Sequence, residues 1–467
     1  MSSITAPTYD PTSTAQAMAQ KSTAVAQQSL TNKTNAASAN AKALSSLSAA
    51  ISAFQTSLGS LTGTGKSMLT QSATLSDTTI GSATAKATAA SGSYSVFVDR
   101  LATNSQVSFA PAEGQAANGT LTISLAAPDA SGTKASTPAT ASFAVDLSAA
   151  DTDNVAGLSV REIAAAINNA SGNGGKVSAG VVTINNVPQL VLSSKDTGAA
   201  NTIWVDSSLT GGVADYKLGA RAEVAAAQDA LIHFGSTPIT QGSNTFTNID
   251  GVSMTFTRAQ SAGEKPFTLS VASDSAGTVS KVQSFVDGYN KLKAAIDSLV
   301  DAGDAASGKA GGAFAHDAGV KTLQNRLESL MRPSGATSLA SYGIIAARDG
   351  SLTLDSTRLT KQLAVSPNGL DQLIGAASLT KPTGVAGALN TYLNNWSNAA
   401  NGQVKQRTEA NTRLQADLSK RQADLDTQYD SAYQRYLKQF SELQALQSKM
   451  TSNVSMFDAM FSNDKSN

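Results

Sequence analysis

The chain is 467 residues long; 34 Lys and Arg balance 34 Asp and Glu, and charged residues make up only 15% of it. Zero net charge excludes the basic face that nucleic acid or an anionic membrane demands, so neither partner is expected. There is no cysteine, which excludes disulfides, thiol catalysis and thiolate metal sites. The length exceeds one compact core and points to roughly two to four domains. Small residues dominate and aromatics are 5%, so each core is modest and draws on Leu and β-branched side chains.

In chain order, Met1–Ser13 has neither the basic nor the apolar region of a Sec signal peptide, and no later run approaches transmembrane length. Residues 1–43 hold hardly any large apolar group and predict a weakly helical or disordered segment. From Leu44 the pattern changes. Leu44, Leu47, Ile51, Phe54, Leu58 and Leu61 step by three and four, the seam of a coiled-coil or bundle helix. Gly59, Gly63 and Gly65 end it. Residues 81–91 read as an Ala/Thr/Ser linker.

Strand-like runs follow at Tyr94–Val98, Leu121–Leu125, Phe143–Leu147, Val181–Ile184, Leu190–Leu192 and Ile203–Val205. One helix interrupts them, Val160–Ala170, with Ser159 as N-cap and Glu162 in the first turn. A second β group lies within Leu231–Val271, at Thr245–Thr247, Ser253–Thr257 and Phe267–Val271. The helical period returns at Ser275. Val279, Val282, Val286, Tyr289, Leu292, Ile296 and Leu299 form one stripe; Val320, Leu323, Leu327 and Leu330 form another, stopped by Pro333. Asp349–Gly350 with Leu352 and Leu354 reads as a small hairpin, and Leu389–Trp396 leads into the last helix.

That helix, Gln403–Phe461, carries Leu425, Tyr429, Ala432, Tyr436, Phe440, Leu443, Leu446, Met450, Val454, Phe457 and Phe461 at steps of three and four, so they share one face. No Pro or Gly breaks it after Gly402. A stripe this narrow needs a second helix to bury it. Residues 403–430 are expected to pack on the Leu44–Leu61 seam, and the stretch beyond Tyr436 to order on a partner.

The chemically suggestive groups each have a plainer reading. Gly63–Ser67 has the tail of a phosphate loop, but Ser60 holds the place of its first Gly and no strand precedes it, so a helix-terminating turn is favoured. Gly172–Gly175 is a loop. His233 and His316 lack a second ligand at metal spacing, and His233 sits in a strand between Ile232 and Phe234. Asp151, Asp153, Asp297, Asp301 and Asp304 lack the calcium-loop pattern and read as solvated loop and helix-end carboxylates. No G-x-S-x-G elbow occurs, and Trp396 is expected to pack a helical base. No catalytic, cofactor or metal residue is assigned.

Six stretches in order resemble the flagellar filament cap family, FliD or hook-associated protein 2. Gly92–Phe109 is similar to the family's Tyr-x-Val-x-Val-x-x-Leu-Ala strand. Leu158–Ala170 followed by Val177–Val205 resembles its helix ending in INA and then RLVLTSKETGAAN. Ala227–Phe256 is similar to AQDA, SN and GV in that order, Phe285–Leu292 to FVDAYN, and Asp349–Leu359 to DGTLSLDSAKL. Tyr436–Asn453 is similar to FTALEKLVSQMNS. The opening departs from the family, with Tyr9–Gln20 where a GLD motif and an acidic segment are usual.

The resemblance implies an α+β protein with a helical coiled-coil base formed by both chain ends and two β-rich head domains between them. It divides the chain into an N-terminal leg (1–43), a first base segment (44–80), head A (83–110 and 223–275), head B (111–222), a second base segment (276–430) and a C-terminal leg helix (431–467). It implies a ring-shaped homo-oligomer at the filament tip that promotes folding and polymerisation of exported flagellin and prevents its loss, without enzymatic activity or cofactor. Export would follow the flagellar type III pathway, with a chaperone on the C-terminal leg beforehand. Tyr436, Phe440, Leu443, Leu446, Met450, Val454, Phe457 and Phe461 would be the partner-binding leg, and Leu44, Leu47, Ile51, Phe54, Leu58 and Leu61 the coiled-coil base. The rival readings are an extracellular adhesin or another axial flagellar protein.

Overall fold

The structure, a computed structural model, describes residues 10–111, 119–148, 150–152, 155, 157–210, 218–332 and 338–462, with the side chains of 207–210 and 461–462 excepted. The chain opens with a long helix, α1 (Pro11–Thr62). Then come β1 (Gln71–Leu75), β2 (Gly81–Ala85), β3 (Gly92–Arg100), β4 (Asn104–Phe109), β5 (Thr120–Leu125), β6 (Ala141–Asp146), α2 (Val160–Asn169), β7 (Val177–Ile184), β8 (Val187–Thr197), β9 (Ile203–Thr210), β10 (Ala222–Ala225), β11 (Ala230–Phe234), β12 (Thr237–Gln241), β13 (Thr245–Phe246), β14 (Val252–Phe256) and β15 (Phe267–Ser273). The helical remainder is α3 (Ser275–Val300), α4 (Ala318–Leu330), a hairpin of β16 (Ile344–Ala346) and β17 (Leu352–Leu354), α5 (Ser356–Val365), α6 (Gly369–Ile374), α7 (Gly384–Ser397) and α8 (Gln403–Ser462). This is the expected α+β arrangement, helices at both ends and β-sheet domains between. The chain divides into two compact units, 69–277 and the two flanking segments 1–68 and 278–467.

The β unit holds two cores. One lies among Val96, Val98, Ile232, Met254, Phe256, Leu269 and their neighbours, between the sheets β1-β15-β3-β11-β12 and β13-β14-β2. The other runs from Val107 to Leu218, where α2 and the sheet β6-β5-β9 meet the sheet β10-β4-β8-β7. Residues 81–85, expected as linker, are strand β2, paired with β14 over its full length. Its Gly, Ser, Thr and Ala side chains give no apolar alternation, so the ladder alone defines it.

The quoted family stretches meet in space. Asn244 bonds both the backbone N–H and the C=O of Ala102 (2.7 and 2.9 Å). Asp229 accepts from the Ala199 N–H at 2.8 Å, and Thr197 donates to the Gly242 carbonyl at 2.7 Å. Gly198, at φ +101, lies so near Gly242 that a Cβ would sit 2.5 Å from its Cα; only glycine fits there.

In the helical unit, Asn290 of α3 accepts from the Leu352 N–H and donates to its carbonyl, both at 2.8 Å, so its amide replaces a missing strand for the β16–β17 hairpin. Asp355 then caps α5 through the Arg358 N–H. Replacing Asn290 by Ala leaves both Leu352 groups unpaired and should lower the stability of this unit by about 2 kcal/mol, read from its denaturant midpoint; an unchanged midpoint would refute the docking role.

α2 starts with the expected Ser159 cap, completed by Glu162 into a capping box. The Glu162 carboxylate accepts from the backbone N–H groups of Thr152 and Ser159, which lower its pKa from 4.5 to about 2. Because the folded value is depressed, this contribution to stability is fully present above pH 4.5 and lost as pH falls towards about 2. Glu162→Gln keeps the box but removes the titration, so unfolding midpoints of the variant should fall less steeply over that window. Identical slopes for both proteins would contradict it.

Candidate partner-binding helix

α1 is a continuous helix from Pro11, where a weakly helical or disordered segment was expected. Asp10 caps it through the Thr12 and Ser13 N–H groups, and Pro11 occupies the first turn where its missing N–H costs nothing. Its early core residues are small, with Ala15 and Ala19 fully buried and Ala37 nearly so. Alanine supplies helix propensity and lets a neighbouring helix approach closely.

That neighbour is α8, running antiparallel. Gln27 and Gln422 exchange amide hydrogen bonds at 3.1 and 3.0 Å, Asn411 donates to the Ala37 carbonyl at 3.0 Å, and Leu30, Ala37, Leu418 and Leu425 form a small apolar cluster. Residues 403–430 thus pack on the first part of α1, not on the Leu44–Leu61 seam as expected. α8 begins beside the middle of α1, so an antiparallel course carries it back towards Pro11. Leu44 of the seam borders it, in a groove of about 500 Å³ shared with Phe314, His316, Arg407 and Leu414.

The rest of the seam is the core of the helical unit. Leu47, Ile51, Phe54 and Leu58 are buried and Leu61 half-buried. Phe54 meets Phe285 and Tyr289 of α3 at ring distances of 6.4 and 6.5 Å, and Gln55 bonds Asn390 and Ser397 of α7. Trp396 is 6% exposed beneath the Arg407 guanidinium. Arg407 in turn holds the Asp317 carboxyl below the usual carboxylate range through their hydrogen bonds.

The candidate leg residues lie further along α8. Equal antiparallel steps from the Gln27–Gln422 pair bring Pro11 opposite roughly residue 438, which leaves roughly 35 Å of α8 beyond the start of α1. Tyr436 and Phe440 are half-buried and stack on each other at 6.5 Å. Past them Leu443, Leu446, Met450, Val454 and Phe457 are all exposed, from 42% to 60%. Met456 and Met460, which the stripe did not include, are exposed too. The Phe461 side chain is outside the described residues, as are Pro333 and Asp153.

The chemically suggestive groups are occupied by structure. Asp371 accepts from the Ser67 hydroxyl and the Met68 N–H, and Gly63 is the C-cap that ends α1, as the helix-terminating reading expected. His233 pairs with Asp99 at 2.5 Å. Asp297 binds Lys293 and Gln324, and Asp301 binds Lys309 and the Gly303 N–H. Among the described residues no cluster could hold a metal, and no helix is long and apolar enough to cross a membrane.

Family models for the flagellar hook-associated protein 2 N-terminus and C-terminus match residues 8–105 and 227–452. A lateral flagellar hook-associated protein 2 of Vibrio parahaemolyticus is 32% identical over 80% of this chain and 82% of its own length. The chain belongs to this family. The B-type flagellar hook-associated protein 2 of Pseudomonas aeruginosa is 30% identical over 88% of the chain and 86% of its own. In fold, the chain is similar to the D1-D2-D3 domains of the flagellar cap protein FliD from Escherichia coli, with a TM-score of 0.60, 24% identity and coverage of 79% of this chain and 99% of that one. The C-terminal family match ends at residue 452, inside the exposed stretch of α8. The second β core, Val107–Leu218, lies wholly between the two matches.

Exposed apolar side chains on a helix without a packed face imply fast local opening. Amide exchange in the isolated protein should be much faster over 443–460 than over 411–432; equal protection across both would overturn this reading.

Proposed function

We propose that this member of the hook-associated protein 2 family caps the tip of the flagellar filament as a ring-shaped homo-oligomer. Both chain ends, 1–43 and 431–467, serve as legs towards the filament. Exported flagellin folds and polymerises beneath the cap, which keeps subunits from escaping and makes or breaks no covalent bond. The protein itself leaves by the flagellar type III route, a chaperone covering the C-terminal leg until then.

The observation that carries this reading is the projecting part of α8, whose apolar stripe from Leu443 to Phe457 lies exposed on one helix. A stripe at three-and-four spacing is matched by another helix laid along it. The chaperone and then flagellin are its proposed partners.

Removing Met450–Asn467 should leave both units folded and abolish filament growth, with flagellin lost to the medium as monomer. Phe440→Asp or Leu443→Asp should act in the same direction by placing a charge in the seam that the partner buries. Filaments of normal length from the truncated protein would remove the leg from the mechanism.

A further inference from the structure

β7 is one edge of the sheet β10-β4-β8-β7. It turns into β8 through Asn185 and Asn186, both at positive φ (51° and 62°), with Ile184 opposite Val187. This is the two-residue turn whose twist suits a hairpin. In that register the even-numbered residues of β7 bond to β8 and the odd-numbered ones turn their N–H and C=O outwards.

Two asparagines cover the first outward residues. Asn173 accepts from the Val177 N–H at 2.9 Å and donates to its carbonyl at 2.8 Å. Asn168 of α2 does the same for Ala179, at 2.9 and 2.8 Å. Val181 and Thr183 come next, and among the described residues no further group bonds their outward N–H or C=O. Beside them Val182, Ile184 and Val187 share the outer face of the hairpin and are 42–47% exposed. Strand edges are ordinarily blunted by charge, proline or bulges. Here β12 has Pro238 and β10 has a bulge, but the tip of β7 has none of these.

We propose that a second copy of this chain occupies the open edge, its β7 lying antiparallel beside the first across a two-fold axis at Val182. Val181 of each copy then exchanges both backbone bonds with Thr183 of the other, which satisfies every outward group left open. The charge pattern selects this occupant. A two-fold contact sets a patch against itself, so any charge in it meets its like. No residue from Val177 to Ser194 is charged, and Lys176 and Lys195 lie at the opposite end of the hairpin. The pairing does not rest on the cap reading.

The absence of native cysteine makes the test direct. Val182→Cys supplies a single thiol on an exposed side chain. Opposed residues at a non-bonded antiparallel position have Cα atoms about 4.5 Å apart, within disulfide reach. Full-length V182C under mild oxidation should give about tenfold or more covalent dimer on a non-reducing gel than V365C, a control at another exposed valine. Equal dimer from the two would overturn the pairing, whether the patch is then bare or meets a different partner. Val182→Lys and Val182→Glu should each lose association through this edge, measured by sedimentation, and regain it when mixed; both variants sedimenting like the parent would also sink the proposal.

Discussion

Leu30, Ala37, Leu44, Ile51 and Leu58 recur every seventh residue of α1, and all are buried. Val404, Asn411, Leu418, Leu425 and Ala432 recur in the same way on α8. A seven-residue repeat presents a single stripe along a helix. The α1 stripe therefore serves two neighbours in succession, α8 along its first half and α3 with α7 along its second. Leu44 marks the handover. The packing changes character there, from Phe54 against Phe285 and Tyr289 in the base to alanine and isolated leucines against α8. Buried apolar area scales with side-chain size, so the helical unit is firmly packed at one end and thin at the other.

What the sequence shows follows from the same contrast. The length and phase of α8 are legible because large apolar residues mark its period. The helix to which that stripe is applied is not, because spacing defines a face and not its neighbour. The first part of α1 is illegible for the opposite reason. Ala15, Ala19 and Ala37 become core only when α8 comes close, and in sequence they look like any small residue. β4 is hidden in a related way. Its inward Ser105 is buried because its hydroxyl accepts from the Ile203 N–H, and a serine at that place breaks the apolar alternation that would announce a strand.

The stretches that carried the family resemblance are polar latches. Asp229 on Ala199, Asn244 on Ala102 and Asn290 on Leu352 each satisfy backbone groups that no strand or helix reaches. Such a group needs a side chain of fixed length and donor order, and that makes a sequence recognisable. An apolar stripe tolerates Leu, Met, Val or Phe almost interchangeably. The fold was therefore easier to read than the residues proposed to meet a partner.

The exposed part of α8 has a further consequence of composition. From Leu443 to Val454 its large apolar side chains are separated by Gln, Ser, Lys, Thr and Asn with one Ala, so the stripe stays narrow there; Met456 and Met460 widen it only in the last turns. A narrow stripe is buried efficiently only by a surface with the same periodicity, which another helix supplies and a flat face does not. Specificity at such a contact comes from register along the helix more than from any single residue. Shifting the apolar residues by one position should therefore weaken the proposed contact more than exchanging one of them for another of similar size.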